Sequence, residues 1–477
     1  MTVDQKTLLI RNGTVRGRPG FDVRAGPERI LEVGRSLPRR SGEEVLDADG
    51  GEVIPGLHDH HVHLRAAVAA RQSVDVSAAA SPAGFDAIVS AAAAAACPQA
   101  WLRITGWNEH AAGPLERRRL DALTGEVPTR VQHRSGAMWV LNSPALAQAG
   151  ADGCDLPGVE RANDGVPTGR LLRMDDWLRD RLGAVPAARV VRSFAAGLAG
   201  YAAEAARSGV TGFTDATPGR DQGDVAELTQ LAETGVLAQR LVLMAPPGLS
   251  EPRSTRVTFG AHKLILDDAT LPAAGELAAT IANAHAAGTT VALHCVTAGQ
   301  LLISIAALEQ AGSAGDRIEH ASIVPPGCAE QLVRLGIAVV TNPGFIADRG
   351  DDYLREVPAA EQDWLYPCAS LIGGGVAVAA GTDAPFGPAD PWQCIAAAAT
   401  RTTLTGHVLG AAERLPLDRA LELFLADPSD VRRVRTVAPG QASDLCILRQ
   451  PLRAGLAQPS AAAVLATIIG GRVAARA

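Results

Sequence analysis

An alternation running through the middle of this chain constrains its fold more than any other feature. Apolar β-type runs fall at Val210–Phe213, Leu241–Met244, Val257–Leu266, Thr290–His294, Ile318–His320, Ile337–Thr341 and Val376–Gly381. Alanine- and leucine-rich helical stretches separate them, among them Ser193–Ser208, Leu271–Ala287, Gly299–Ala311 and Cys328–Leu335. Strands that alternate with helices of this length predict parallel β/α units. Runs apolar on both faces need cover on both sides, and so many in succession favour a closed, TIM-like (β/α)8 barrel over an open sheet.

The two ends read differently. Thr7–Ile10, Arg29–Val33 and Val53–Pro55 are short β-type runs separated by turn pairs such as Asn12-Gly13 and Gly50-Gly51. Asp444–Leu448 and Ala463–Val473, with Gly470-Gly471 as a turn, look the same. The expected division is therefore a small composite β-sandwich from residues 1–57 and 434–477, and a β/α barrel over 58–433. Residues 66–190 break the barrel rhythm with a helical segment, strand-like Leu102–Trp107 and Arg130–His133, and a Gly/Pro/Asp-rich region at 150–168. They read as an insertion after barrel strand one.

A chain of 477 residues suits one large barrel with a satellite. Its net charge of -7 offers no basic field for nucleic acid or an anionic membrane. The seven cysteines (Cys97, Cys154, Cys295, Cys328, Cys368, Cys394 and Cys446) never form a C-x-x-C pair, which suits a reducing compartment and argues against a cysteine metal site. The first residues lack the charged start and apolar core of a secretory leader, and the alanine run at 91–96 is too short to span a bilayer. A cytoplasmic protein acting on a small molecule is expected, with a homo-oligomer left open.

The strongest chemical signal is Pro55-Gly56-Leu57-His58-Asp59-His60-His61-Val62-His63, which holds four of the chain's 11 histidines. In a strand, Asp59, His61 and His63 share one face and His58, His60 and Val62 the other. Two imidazoles at i and i+2 lie about 6–7 Å apart, close enough to share one metal ion. Asp59 is placed to orient a histidine behind the ligands. His58 and His60 carry no expected role. His294, His320 and Asp383 each end or follow a barrel-type run, where ligands collect in a β/α barrel. Singly, each is more often an ordinary core or loop residue. Together with His61 and His63 they form a nitrogen/oxygen set suited to a hydrolytic zinc ion.

This order of residues resembles the amidohydrolase superfamily, from the strand-rich start to Ala438-Pro439-Gly440-Gln441-Ala442-Ser443-Asp444-Leu445. The resemblance implies one or two metal ions held by His61, His63, His294, His320 and Asp383. It also implies a carboxylated lysine bridging two metals, a role that falls on Lys263. A lysine in an apolar strand must find a partner or lose its charge. A pairing with Asp267 or Asp268, or His262 as the inward residue, are the alternatives. Gly106-Trp107-Asn108-Glu109, Asn142-Ser143-Pro144-Ala145-Leu146, Pro167-Thr168-Gly169 and Lys263-Leu264-Ile265-Leu266-Asp267 are similar to the subgroup that includes N-substituted formamide deformylases. Gly136-Ala137 departs from that subgroup's Gly-His.

The expected reaction is hydrolysis of an amide, formamide or cyclic amide C–N bond by metal-activated water. Asp383 is the expected general base, and His294 or His320 stabilises the oxyanion where it is not a ligand. Zinc is expected, as one or two ions, with iron and manganese as alternatives. A deaminase is the rival within the enzyme class, and a catalytically silent metal-binding protein the rival outside it. Trp107, Arg134, Asn342 and Arg349 are candidates for shaping a substrate pocket. No G-x-S-x-G elbow or G-x-x-x-x-G-K-[ST] loop is present, which disfavours a serine hydrolase and a phosphate-binding NTPase.

Overall fold

The computed structural model describes residues 7–96, 101–182 and 187–476. It divides into two compact units, one of residues 1–64 with 199–477 and one of residues 65–198. In the first unit the parallel strands form two sheets. One runs Val257–Gly260, Arg240–Met244, Val210–Asp215, Leu57–Val62 in spatial order, all parallel. The other runs His262–Leu264, Val291–Cys295, Arg317–His320, Ala338–Thr341, Val378–Ala380, again all parallel.

The expected single run Val257–Leu266 is thus split at Ala261 between two sheets. At Gly260, the last residue of strand Val257–Gly260, a β-carbon would sit 2.8 Å from Val242 Cγ1, so glycine permits the close approach to the neighbouring strand just before the break. At the opposite edges, Asp383 N donates to His61 O at 2.8 Å and His63 N donates to Ala384 O at 2.9 Å. Helices follow the strands closely. Thr297 caps helix Ala298–Ala311 by accepting from Gln300 N at 3.2 Å, and Gln300 Oε1 accepts from Thr297 N in return. That reciprocal cap lies two residues past the end of strand Val291–Cys295 and starts the helix at Ala298.

The chain ends come together. Strand Val53–Pro55 pairs with Leu445–Leu448, which pairs with Val464–Ile469 and then Arg472–Arg476. A second sheet orders Ile30–Gly34, Arg18–Ala25, Leu8–Val15 and Glu44–Asp47. Leu8, Ile10, Val23 and Leu46 from this sheet share one buried core with Val53, Leu445, Ile447 and Ile468 from the other. Two sheets with a common apolar interior are a sandwich.

The second unit is more regular than its sequence suggests. Six strands order as Val159–Arg161, Pro167–Leu172, Met138–Leu141, Thr129–His133, Leu102–Trp107 and Val74–Asp75. The Gly/Pro/Asp-rich stretch at 150–168, which showed no strand signal, supplies edge strand Val159–Arg161, which pairs as a hairpin with Pro167–Leu172 just after it. Helix Pro82–Ala95 begins on a Ser81 cap with proline in its first turn, and it buries Phe85 and Val89. Trp107 sits at 1% exposure in this unit's core beside them, with its indole N–H on Gly113 O. It is a core residue rather than the pocket residue expected. Among the described residues no helix is long and apolar enough to cross a membrane. Six cysteines are free thiols, and Cys97 lies outside the described residues.

The sandwich buries one ion pair completely, with Arg24 Nε 2.7 Å from Glu43 Oε1 and neither side chain exposed. Burial raises the Glu43 pKa, but bonds from Arg24, Arg40 N and Thr7 outweigh it and the carboxyl ends below its ordinary value. Its contribution is therefore complete above the unfolded carboxyl pKa of about 4.3 and is lost as pH falls through the depressed folded value. Arg24→Met should cost about 3–5 kcal/mol at pH 7, by leaving the buried Glu43 carboxylate without its cation. In urea unfolding, the gap between wild type and variant should narrow in acid; a gap independent of pH would contradict this account.

Candidate metal centre

The first parallel strand presents its histidines as its two-residue period dictates. His58 and His60 face away, their rings 4.6 Å apart, with His58 Nε2 2.9 Å from Thr214 Oγ1. They take no part in the site. His61 and His63 face the other way with ring centroids 5.4 Å apart. The carboxylate of Asp383 meets both: Oδ1 lies 3.2 Å from His63 Nε2 and 3.6 Å from His61 Nε2. Its other oxygen is 3.8 Å from His320 Nδ1. The His294 ring stands edge-on to His320 at 4.6 Å. His61, His320 and Asp383 each offer a ligating atom within 4.8 Å of the others.

Lys263 is the inward residue of strand His262–Leu264. It is 5% exposed, and its Nζ lies 3.3 Å from His61 Nε2. Neither Asp267 nor Asp268 is its partner: Asp267 caps a short 3₁₀ turn and Asp268 accepts from Thr297. His262 is only half-buried, so the alternative register does not occur. Burial lowers the Lys263 pKa to about 8, against the opposing pull of Glu319 and Asp383.

Each imidazole is fixed from behind. Glu319 Oε2 accepts from His61 Nδ1, while Glu319 Oε1 accepts from Arg317 Nε at 2.5 Å. Asn342 Oδ1 lies 2.8 Å from His320 Nδ1, and the amide is oriented because its Nδ2 donates to Gly381 O. Thr217 gives its hydroxyl proton to Asp215, so it can only accept from His63 Nδ1, 3.4 Å away. Asp215 in turn pairs with Arg220 at 3.2 Å, both buried. With the Nδ1 protons so placed, the Nε2 lone pairs of His61, His63 and His320 remain as donors to a metal. Burial first, then neighbouring cations, holds the pKa of His61 and His320 well below the ordinary value, which keeps both rings in the neutral, ligating form.

The donor set fits a divalent ion. Asp383 Oδ1 is buried and accepts no hydrogen bond, an unusual state for a carboxylate oxygen surrounded by imidazoles. Two of the site residues also hold backbone conformations rare for non-glycine residues: φ is 69° at His320 and 55° at Asp383. Such strain persists where the surroundings over-determine it, and it clusters at functional sites.

Several residues stand differently from the sequence reading. Asp59 does not orient a histidine ring; both its oxygens accept from Thr382, and one also from His61 N. The carboxylate behind His61 is Glu319, which carried no expected role although it lies in the quoted Arg317–His320 run. A carboxylate in a short barrel-type run, directly before the candidate ligand His320, was the signal available for it. Asn342 serves His320 instead of lining a pocket. Arg349 stacks its guanidinium 4.3 Å over Phe345 and donates to Phe386 O. Arg134 donates its backbone N–H to Trp107 O.

Imidazoles, a lysine and a carboxylate converging at the ends of parallel strands define the class of site found in metal-dependent hydrolases. The chain belongs to the amidohydrolase family, whose model matches residues 44–475. It is a hydrolase of carbon–nitrogen bonds. Among curated proteins it is 24% identical over 511 aligned positions to an N-substituted formamide deformylase of Arthrobacter pascens, covering 93% of this chain and 92% of that one. Among solved structures it is similar to a metal-dependent hydrolase from Pyrococcus horikoshii, with a TM-score of 0.73 at 20% identity over 93% of this chain and 98% of the other. N-isopropylammelide isopropylaminohydrolase from Burkholderia multivorans aligns at a TM-score of 0.52 and 15% identity over 99% and 98%. Those two likenesses are of fold.

Replacing Glu319 by Gln puts an amide N–H₂ against either His61 Nδ1–H or Arg317. Metal affinity should fall by about 10–100-fold. Chelator competition reads this directly, and unchanged affinity in a folded variant would remove Glu319 from the site.

Proposed function

We propose that this chain is a zinc-dependent amidohydrolase that cleaves an amide, formamide or cyclic amide C–N bond of a small molecule. The observation that carries the reading is Asp383 Oδ1, buried, without a hydrogen bond, and between the Nε2 atoms of His61 and His63. We also infer that the two parallel sheets close into one (β/α)8 barrel. The one-residue gap at Ala261 and the backbone bonds between 61–63 and 383–384 support this. In that arrangement residues 1–57 and 434–477 form the sandwich domain and residues 58–433 the barrel.

His61, His63, His294, His320, Asp383 and Lys263 would hold the metal, as one ion or two; the nitrogen/oxygen set suits zinc, with iron or manganese as alternatives. When bound, zinc supplies a water acidified to a pKa of about 7 and a polarised substrate carbonyl. Asp383 takes up a proton at Oδ1 and delivers it to the departing nitrogen. An amine leaves poorly unless protonated, so one carboxylate acting first as base and then as acid meets what the reaction demands. A histidine at 294 or 320 that does not ligate donates to the oxyanion.

At Lys263 an ammonium beside His61 Nε2 would repel a divalent ion. Attack of neutral Nζ on carbon dioxide, with loss of one proton, replaces that cation with an anionic carbamate whose oxygens can ligate. The name of the Arthrobacter pascens relative makes N-substituted formamides the first substrates to test.

Asp383→Asn should keep its metal and lose about 10²–10⁴-fold in kcat; full activity with metal bound would falsify the proton-carrier role. On a substrate panel, acid and amine products support the amidohydrolase reading, whereas ammonia from nucleobases alone would replace it with deamination. For Lys263, metal analysis should give two equivalents with bicarbonate and fewer without it, and Lys263→Ala should abolish the difference. Two equivalents regardless of bicarbonate would exclude the carbamate.

A further inference from the structure

Asp59 is 2% exposed and its carboxylate is fully engaged without touching an imidazole. Oδ1 accepts from Thr382 N at 2.9 Å and from His61 N at 3.2 Å, and Oδ2 accepts from Thr382 Oγ1 at 2.5 Å. The Thr382 hydroxyl, its proton given to Asp59, accepts from Ala384 N at 3.2 Å. Asp383, between these two residues, has φ of 55° and donates its own N–H to His61 O. Phe386 N donates to Asp383 O at 2.8 Å. Immediately before Thr382, a β-carbon on Gly381 would lie 2.4 Å from His61 N, so only glycine lets this segment approach the first strand.

A left-handed conformation is strained for a non-glycine residue and survives only where neighbours hold it. Here the bonds on either side of Asp383 run back to one carboxylate. We propose that Asp59 is a positioning residue for Asp383: through the Thr382 hydroxyl it clasps the 381–384 turn to the first strand and holds Asp383 in the left-handed conformation that aims Oδ1 between His61 and His63. The inference rests on the reading of Asp383 as proton carrier. Misplacing such a group by about 1 Å can cost about 10²-fold in rate.

Thr382→Val keeps the branched shape and the backbone N–H on Asp59 but removes the hydroxyl that links Asp59 to Ala384 N. Its kcat should fall about 10–100-fold, with KM and metal affinity by chelator competition held within about two-fold. Thr382→Ser, which restores the hydroxyl, should recover kcat, and Asp59→Asn, which puts an N–H₂ on the clasp, should resemble the valine variant. Hydrogen exchange over residues 381–386 in the metal-free protein should quicken in Thr382→Val and return toward wild type in Thr382→Ser. Wild-type kcat and exchange in Thr382→Val would overturn the proposal. So would a loss of metal affinity equal to the loss of kcat, because the clasp would then serve the ligands and not the base. If Asp383→Asn stays active with metal bound, the proton-carrier reading fails, while exchange in the metal-free protein still decides whether the clasp holds the turn.

Discussion

His61 is the residue on which the parallel strands converge. Its ring contacts Glu319 from the sixth strand in chain order, counting the split run once, Lys263 from the fourth and Asp383 beyond the eighth. All of these groups are buried, and in a low-dielectric interior every unmatched charge or lone pair is expensive. Such a cluster tolerates few arrangements of protons. Glu319 fixes the proton on Nδ1, which leaves Nε2 bare, facing Lys263 Nζ and Asp383 Oδ1. The tautomers of His63 and His320 follow the same logic through Thr217 and Asn342.

Backbone conformation matters as much as side-chain chemistry. His320 and Asp383 both carry positive φ at the point where a strand ends. The turn bends each side chain out of the strand's alternation and toward its neighbours. Gly381 makes the second turn possible by letting strand Val378–Ala380 run into contact with His61. Glycine at 260 does a related task on the other side, where the long apolar run breaks between sheets. Small residues at close approaches and a few strained residues at strand ends thus set the geometry that the buried charges then exploit.

Much of this was legible in sequence because it depends on local period. Apolar runs separated by helical stretches point to parallel strands, since parallel neighbours need a crossover connection and a helix supplies it. The alternation of side chains along 57–63 sorts His61 and His63 from His58 and His60. Cap Thr297 and cap Ser81 mark helix starts through hydrogen bonds made within a few residues. Of the second unit's six-stranded sheet only Leu102–Trp107 and the strand ending at His133 were legible, because strands such as Val159–Arg161, three residues long, are too short to show a period.

The sequence by itself therefore determined which side chains could share a face, and with them the imidazoles and carboxylate offered for a metal. Only the tertiary structure decided who stands behind them. That Glu319 serves His61, that Asp59 grips Thr382 instead of an imidazole, and that Lys263 rather than His262 turns inward are relations between residues as far as 323 positions apart. Hydrogen bonds of that kind leave no periodic trace, because they are fixed by which strands pack together and in what register, not by neighbours along the chain.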